Sequence, residues 1–164
     1  MTRRLPTPPA AEADALKLFV VLSRAHGAVA ACADADIERH GLTATEFAIL
    51  EALHHRGPLL LGDLQRKILV SSGGVTYLVD RLEKRGLVER RPCAEDRRAR
   101  YAALTPAGHE LIERIFPDHA RAIAQAVSGL SRAEQLAATE LLRKLGTAAE
   151  AATASVPEAA GTTS

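Results

Sequence analysis

Apolar residues recur along the chain with a period that switches between helical and extended, and the switches mark out the elements. From Ala11 to about His40 the positions Leu16, Phe19, Val20, Ser23 and Gly27 share one helical stripe, and Gly41 supplies a stop. Thr43 and Glu46 stand in S/T-x-x-E spacing just before Phe47, Leu50 and Leu53, the signature of a capping box, and Gly57-Pro58 ends that helix. Leu59 to Leu61 reads as a short extended piece. A brief helix follows from Asp63 to Leu69 with Leu64 and Ile68 inward, then a turn through Val70 and Ser71. The spacing predicts the next helix over Ser72 to Arg85, closed by Gly86 in the left-handed conformation. Leu87 to Arg91 and Arg100 to Leu104 are short and extended, joined by a polar stretch containing Pro92 and Asp96, which predicts a hairpin with a charged loop. Thr105-Pro106 combines an N-cap with proline at the first helical position; this helix should reach about Val127, with a kink or break at Pro117. Ser131 and Glu134 form a second capping box, opening a last helix through Leu136, Leu141, Leu142 and Leu145. Residues 1–9 are proline-rich and 153–164 small and polar, so both ends read as disordered tails.

The resulting fold class is mainly α with a small β-hairpin wing: a winged helix-turn-helix framed by long N- and C-terminal helices. The helix from Ser72 to Arg85 supports this through its two faces. Val75, Leu78, Val79 and Leu82 form the apolar face, while Gly73, Tyr77, Asp80 and Lys84 lie opposite, flanked by Thr76 and Arg81. A helix entering the major groove needs small or hydrogen-bonding residues at its N-terminal end and cations where it passes the phosphates. Ser71, Ser72, Gly73, Gly74 and Thr76 meet the first need, with Arg81 and Lys84 meeting the second. A Gly-Gly pair serves tight packing of a turn equally well. In the hairpin, Arg91, Arg97, Arg98 and Arg100 are placed to reach flanking backbone or the minor groove. Asp96 repels a phosphate, so its role there is to hold an arginine in place; alone, such a trio is an ordinary solvated turn.

Composition adds to this picture. The 164 residues are 47% apolar but include only five aromatics, three Phe and two Tyr, and much of the apolar share is the helix-favouring Ala. So few rings disfavour a stacking platform for single-stranded nucleic acid. Net charge is only +1, yet the segment from Arg81 to Arg100 is +4 and the remainder −3, the asymmetry of a molecule with one face toward a polyanion. The N-terminus lacks the apolar run of an export signal, and Lys17, Arg24 and His26 interrupt Leu16 to Ala33, so neither secretion nor a membrane partner is expected. With two widely spaced cysteines the expected compartment is the reducing cytoplasm. Gly57 to Gly62 has P-loop spacing, but Asp63 and Leu64 stand where Lys and Ser or Thr are required. No nucleophile elbow is present, and no enzymatic activity or cofactor is expected.

Taken in order, these motifs resemble the MarR family of regulators. The run from Ser71 to Val88 looks like the family's recognition helix and first wing strand. Asp96-Arg97-Arg98, followed by Leu104-Thr105-Pro106-Ala107-Gly108, is similar to its wing signature and the start of its fifth helix, and Leu42 to Leu53 fits its second helix. The likeness covers about residues 10–146. It implies a homodimer built by helices 10–40 and 106–152, presenting two winged domains, residues 41–105, to a pseudo-palindromic double-stranded DNA site. It also implies major-groove contacts from Ser72, Gly74, Thr76, Tyr77 and Arg81, and a minor-groove contact from the wing through Asp96 and Arg98. Tyr77 departs from the basic or polar residue many members carry. Lys67-Ile68-Leu69, Thr76-Tyr77 and Phe116-Pro117 with His119 look closer to a branch whose repressors respond to quinones and phenols.

The resemblance further implies a switch driven by a small aromatic ligand or an oxidant. Cys32 reads as a small packed residue or an oxidant sensor. Cys93 sits among Arg90, Arg91 and Arg97, which would lower its pKa and raise its reactivity. His54 and His55 suit the C-terminal dipole of their helix or a ligand pocket, and His26 is a further pocket candidate. No two histidines share i, i+4 spacing on a helix and no Cys-x-x-Cys exists, so no metal site is expected. The functional expectation is a repressor that binds specific duplex DNA under ligand or oxidant control. The alternative is a winged-helix module for protein–protein assembly.

Overall fold

The computed structural model describes residues 9–68, 72–92 and 100–154. The chain divides into two units, Met1–Ala126 and Val127–Ser164. In the first, α1 (Ala10–Arg39) and α2 (Ala44–Arg56) lead to β1 (Leu59–Leu60) and α3 (Leu61–Ile68), then α4 (Ser72–Lys84). β2 (Val88–Pro92) and β3 (Arg100–Leu104) follow, and α5 (Pro106–Ala126) closes the unit. The second unit contributes α6 (Arg132–Ala154).

The start signals act as their chemistry requires. Glu46 N–H donates to Thr43 Oγ1 at 3.2 Å while Glu46 Oε2 accepts from the Thr43 N–H at 2.9 Å, completing the box that opens α2. Ser131 and Glu134 repeat the exchange ahead of α6, where the bonds from Ser131 hold the Glu134 carboxyl below its ordinary pKa. Gly86, at φ +70°, ends α4: its N–H reaches Glu83 O and the Leu87 N–H reaches Leu82 O. That pair of bonds is the Schellman arrangement, which only a residue tolerant of positive φ completes without strain.

One core binds the elements of the first unit. Phe47, Leu50 and Leu53 of α2, Leu64 of α3, and Val75, Val79 and Leu82 of α4 are buried together with Val88, Ala102 and Leu104 of the sheet. Ile37 of α1 and Ile112 and Ile115 of α5 belong to the same cluster. The sheet has three antiparallel strands in the order β1-β3-β2, with Leu59 opposite Ala102 and Val88 opposite Leu104. The expected hairpin is therefore extended by a third strand, because Leu59-Leu60 lies along β3.

Two expectations change. α5 continues unbroken through Pro117. Ile112 and Ile115 pin its first half into the core and His119 anchors the second half near Asp36, so the amide bond that proline forgoes does not end the helix. α1 is also long and apolar enough, by length and composition, to cross a membrane. Lys17 and Arg24 are its only charged residues between Asp14 and Asp34, too few to make it polar as expected. Leu16, Leu18, Phe19, Val20 and Val21 stand exposed along it, Phe19 at 67%. In the second unit Leu136, Leu141, Leu142 and Leu145 are likewise exposed on α6.

Candidate nucleic-acid interface

α4 sits on the core through Val75, Val79 and Leu82, which turns its other side outward. Thr76, Tyr77 and Lys84 are exposed there, Tyr77 at 61%, and Gly74 is half-buried. Ser72 and Gly73 open the helix, whereas Ser71 lies outside the described residues. The Arg81 guanidinium lies 5.9 Å from the Tyr77 ring centre, within range of a cation–π contact.

Two ion-pair sets fix the angle of this helix. Glu46 is 1% exposed, and beyond capping α2 its carboxylate meets Arg81 at 3.2 Å and Arg85 at 3.7 Å. Its Oε1 makes no hydrogen bond among the described residues, so the Arg81 contact there is a charge contact without hydrogen-bond geometry. A residue needed for a local cap thus also clamps the last turn of α4. On the other side Arg90 of β2 reaches Asp80 at 2.5 Å, pairs with Glu83, and approaches the Thr76 carbonyl at 3.4 Å. Arg90 was not among the expected interface residues. Asp80, expected on the DNA-facing surface, pairs with Arg90, and Arg81, expected there too, meets Glu46.

Further along the wing, Arg91 is exposed and bonds Glu89 at 2.7 Å, and Arg100 is exposed at the start of β3. Cys93, Asp96, Arg97 and Arg98 lie outside the described residues. The base of the wing is tied by Thr105, whose hydroxyl donates to Gly86 O at 2.6 Å and accepts from the Gly108 N–H at 3.1 Å. Its own N–H reaches Leu87 O at 3.1 Å.

Away from α4, Cys32 and His26 are exposed on α1. His54 is half-buried near the end of α2, and exposed His55 lies edge-on to Phe116 at 5.4 Å. A groove of about 520 Å³ between α1 and α5 is lined by Cys32, Asp36, Arg39 and Gln125 among others. Asp36, 2% exposed, pairs with Arg39 and lies 3.2 Å from His119 Nδ1, and the His119 ring packs 4.4 Å from Phe47. Burial alone would raise the Asp36 pKa, but the bonds from Arg39 and His119 outweigh it and the carboxyl sits below its ordinary value. No sequence signal pointed to Asp36, because its partner on α5 is 83 residues away.

The MarR family profile matches residues 40–99. Over 131 residues the chain is 44% identical to the HTH-type transcriptional regulator MhqR of Bacillus subtilis, spanning 80% of this chain and 90% of that protein. The chain belongs to the MarR family. Solved relatives agree with that assignment. Sco3205 of Streptomyces coelicolor, a MarR family transcriptional regulator solved in complex with DNA, is similar at 26% identity and TM-score 0.75, over 88% of this chain and 91% of that one. BpsR of Bordetella bronchiseptica, whose DNA binding is regulated by 6-hydroxynicotinic acid, is similar at 32% identity and TM-score 0.71, over 79% and 98%. The protein is thus a MarR family transcriptional regulator with a mostly helical winged fold.

Proposed function

We propose that the protein is a homodimeric repressor that binds a pseudo-palindromic duplex through α4 and the wing, has no catalytic activity, and is released by a small aromatic ligand or an oxidant. The observation that carries this reading is the outward side of α4. Thr76, Tyr77 and Lys84 are exposed while the apolar side is anchored, and Arg90 neutralises the carboxylates of Asp80 and Glu83 that would repel phosphate. The DNA complex of Sco3205 supports the same use of the fold. Dimerisation accounts for the exposed apolar residues of α1 and of α6, since so many large apolar side chains are seldom left open to water in soluble proteins. In that arrangement a second chain, rather than lipid, covers α1.

For the ligand, the α1–α5 groove has a volume suited to a small aromatic molecule, and Arg39 offers a cation to a carboxylate or phenolate. The regulation of BpsR by 6-hydroxynicotinic acid supports an aromatic acid as the ligand class. Duplexes selected from a random pool give the site, and half-site centres about one helical turn apart are expected of the dimer. Binding then has to weaken steeply with salt, and Arg98→Ala to flatten the log–log slope by about one unit. Salt-independent binding that ignores this substitution would leave the protein–protein assembly reading in its place.

A further inference from the structure

His54, His109 and Glu113 come together on the side of the unit where the end of α2 meets the beginning of α5. His109 and Glu113 are four residues apart in the first two turns of α5 and so share one face of that helix. His54 approaches from α2, its ring 6.0 Å from that of His109. One ligand atom from each of the three residues lies within 4.8 Å of the others. A second observation is independent of this clustering: the Nδ1 of His54 is buried and has no hydrogen-bond partner among the described residues. A buried imidazole nitrogen without a partner is costly, and a cation is one way to satisfy it. No pair of histidines on one helix marks this group, because the i, i+4 partner of His109 is a glutamate and the second histidine comes from another helix.

We infer that His54, His109 and Glu113 form a binding site for a divalent transition-metal ion of the zinc class. Two imidazole nitrogens and one carboxylate oxygen suit a borderline cation, whereas calcium and magnesium favour all-oxygen shells. Ligand distances of about 2.0–2.2 Å put neighbouring donors about 3.4 Å apart in a tetrahedral shell, so closing the shell requires movement of about 1 Å. The exposed side chains of His109 and Glu113 are free to supply it by rotation. Three protein ligands leave a fourth position for water. The bound ion would staple α2 to α5 next to Thr105 and Gly108, where α5 meets the end of α4. The site stands whether or not the protein binds DNA.

The test is made on the untagged, metal-stripped full-length protein, titrated with Zn²⁺ against a chromophoric chelator and, separately, with Co²⁺. One ion per chain is expected, with the visible absorption of low-coordinate cobalt, and bound zinc at 100 times its Kd should raise the folding constant about 100-fold. His109→Ala and Glu113→Gln alter exposed side chains, so both variants should keep the helical circular dichroism of the parent. Each should lose about tenfold or more in affinity, since even residues that only orient a ligand are worth that much. His54→Ala is the weaker variant because that side chain is half-buried and its loss confounds folding with binding. Stoichiometric zinc binding that neither His109→Ala nor Glu113→Gln weakens would overturn the proposal, as would failure of the parent to bind either ion at micromolar concentration.

Discussion

Replacing Gly108 by alanine sets two well-known effects against each other with opposite signs. In an unobstructed helix the change stabilises by about 0.5–1 kcal/mol, because alanine loses less backbone entropy on folding. At position 108 an added Cβ would lie 2.1 Å from the Leu87 carbonyl oxygen and 3.1–3.2 Å from Leu87 C and Leu104 Cδ2. An unstrained carbon–oxygen contact is about 3.3 Å, so α5 would have to retreat by about 1 Å. That retreat is opposed by the Thr105 bonds to Leu87 O and Gly86 O, each worth about 1 kcal/mol. Overpacking of this kind costs about 1–3 kcal/mol, and with the strained bonds added and the entropy gain subtracted, net destabilisation of about 2–3 kcal/mol is expected. Urea and thermal unfolding at fixed chain concentration should show a Tm drop of about 4–12 °C. Gly146→Ala, in α6 with nothing within 4 Å of the added carbon, should instead be neutral or stabilising. A Gly108→Ala protein as stable as its parent would refute the reasoning, because the steric conflict and the bond strain it causes are the destabilising contributions.

Three further outcomes follow from the ion pairs. Glu46→Ala should cost about 1–2 kcal/mol through loss of the α2 cap, and weaken duplex binding further because α4 loses its clamp at Arg81 and Arg85; normal duplex affinity in a folded Glu46→Ala protein would show that the clamp does not position the helix. Arg90→Ala touches partly exposed pairs, so unfolding should shift by under about 1 kcal/mol, while duplex affinity falls and is recovered in part by adding Asp80→Asn and Glu83→Gln. No recovery in that triple variant would mean the lost affinity has nothing to do with unmasked carboxylates. Because the Asp36 pKa is lower folded than its unfolded value of about 3.9, its contribution is present above about pH 4 and lost as pH falls through the folded value. The stability gap between parent and Asp36→Asn, followed by urea unfolding, should therefore narrow on acidification below pH 4.

Features encoded within a few residues were legible in the chain. The boxes at Thr43 and Ser131, the cap at Gly86, the start at Thr105 and the two-faced helix bearing Val75 and Tyr77 each rest on local bonds or on a short period. Pairings between distant segments were not. Leu59-Leu60 reads as extended from the chain, but its pairing with β3 does not. Glu46 fully explained itself as a cap, which concealed its second use at Arg81. The pairing of Asp80 with Arg90 was hidden because Arg90 lies on a different element. Pro117 breaks most helices locally, yet contacts on both sides of it carry α5 through. The meeting of His54 with His109 and Glu113 depends on how two helices cross, which no spacing within either helix reveals.

The hydroxyl of Thr105 joins the end of α4 and the start of α5 through a single atom, so a pivot of one helix that leaves the other behind has to break a hydrogen bond. With 13 residues, α4 extends about 20 Å beyond this joint. A swing of about 10° would move its far tip by about 3.5 Å, roughly the rise of one nucleotide along a strand. With α4 in the major groove as proposed, a twist of α5 passed on through this joint would move the tip by about one base step.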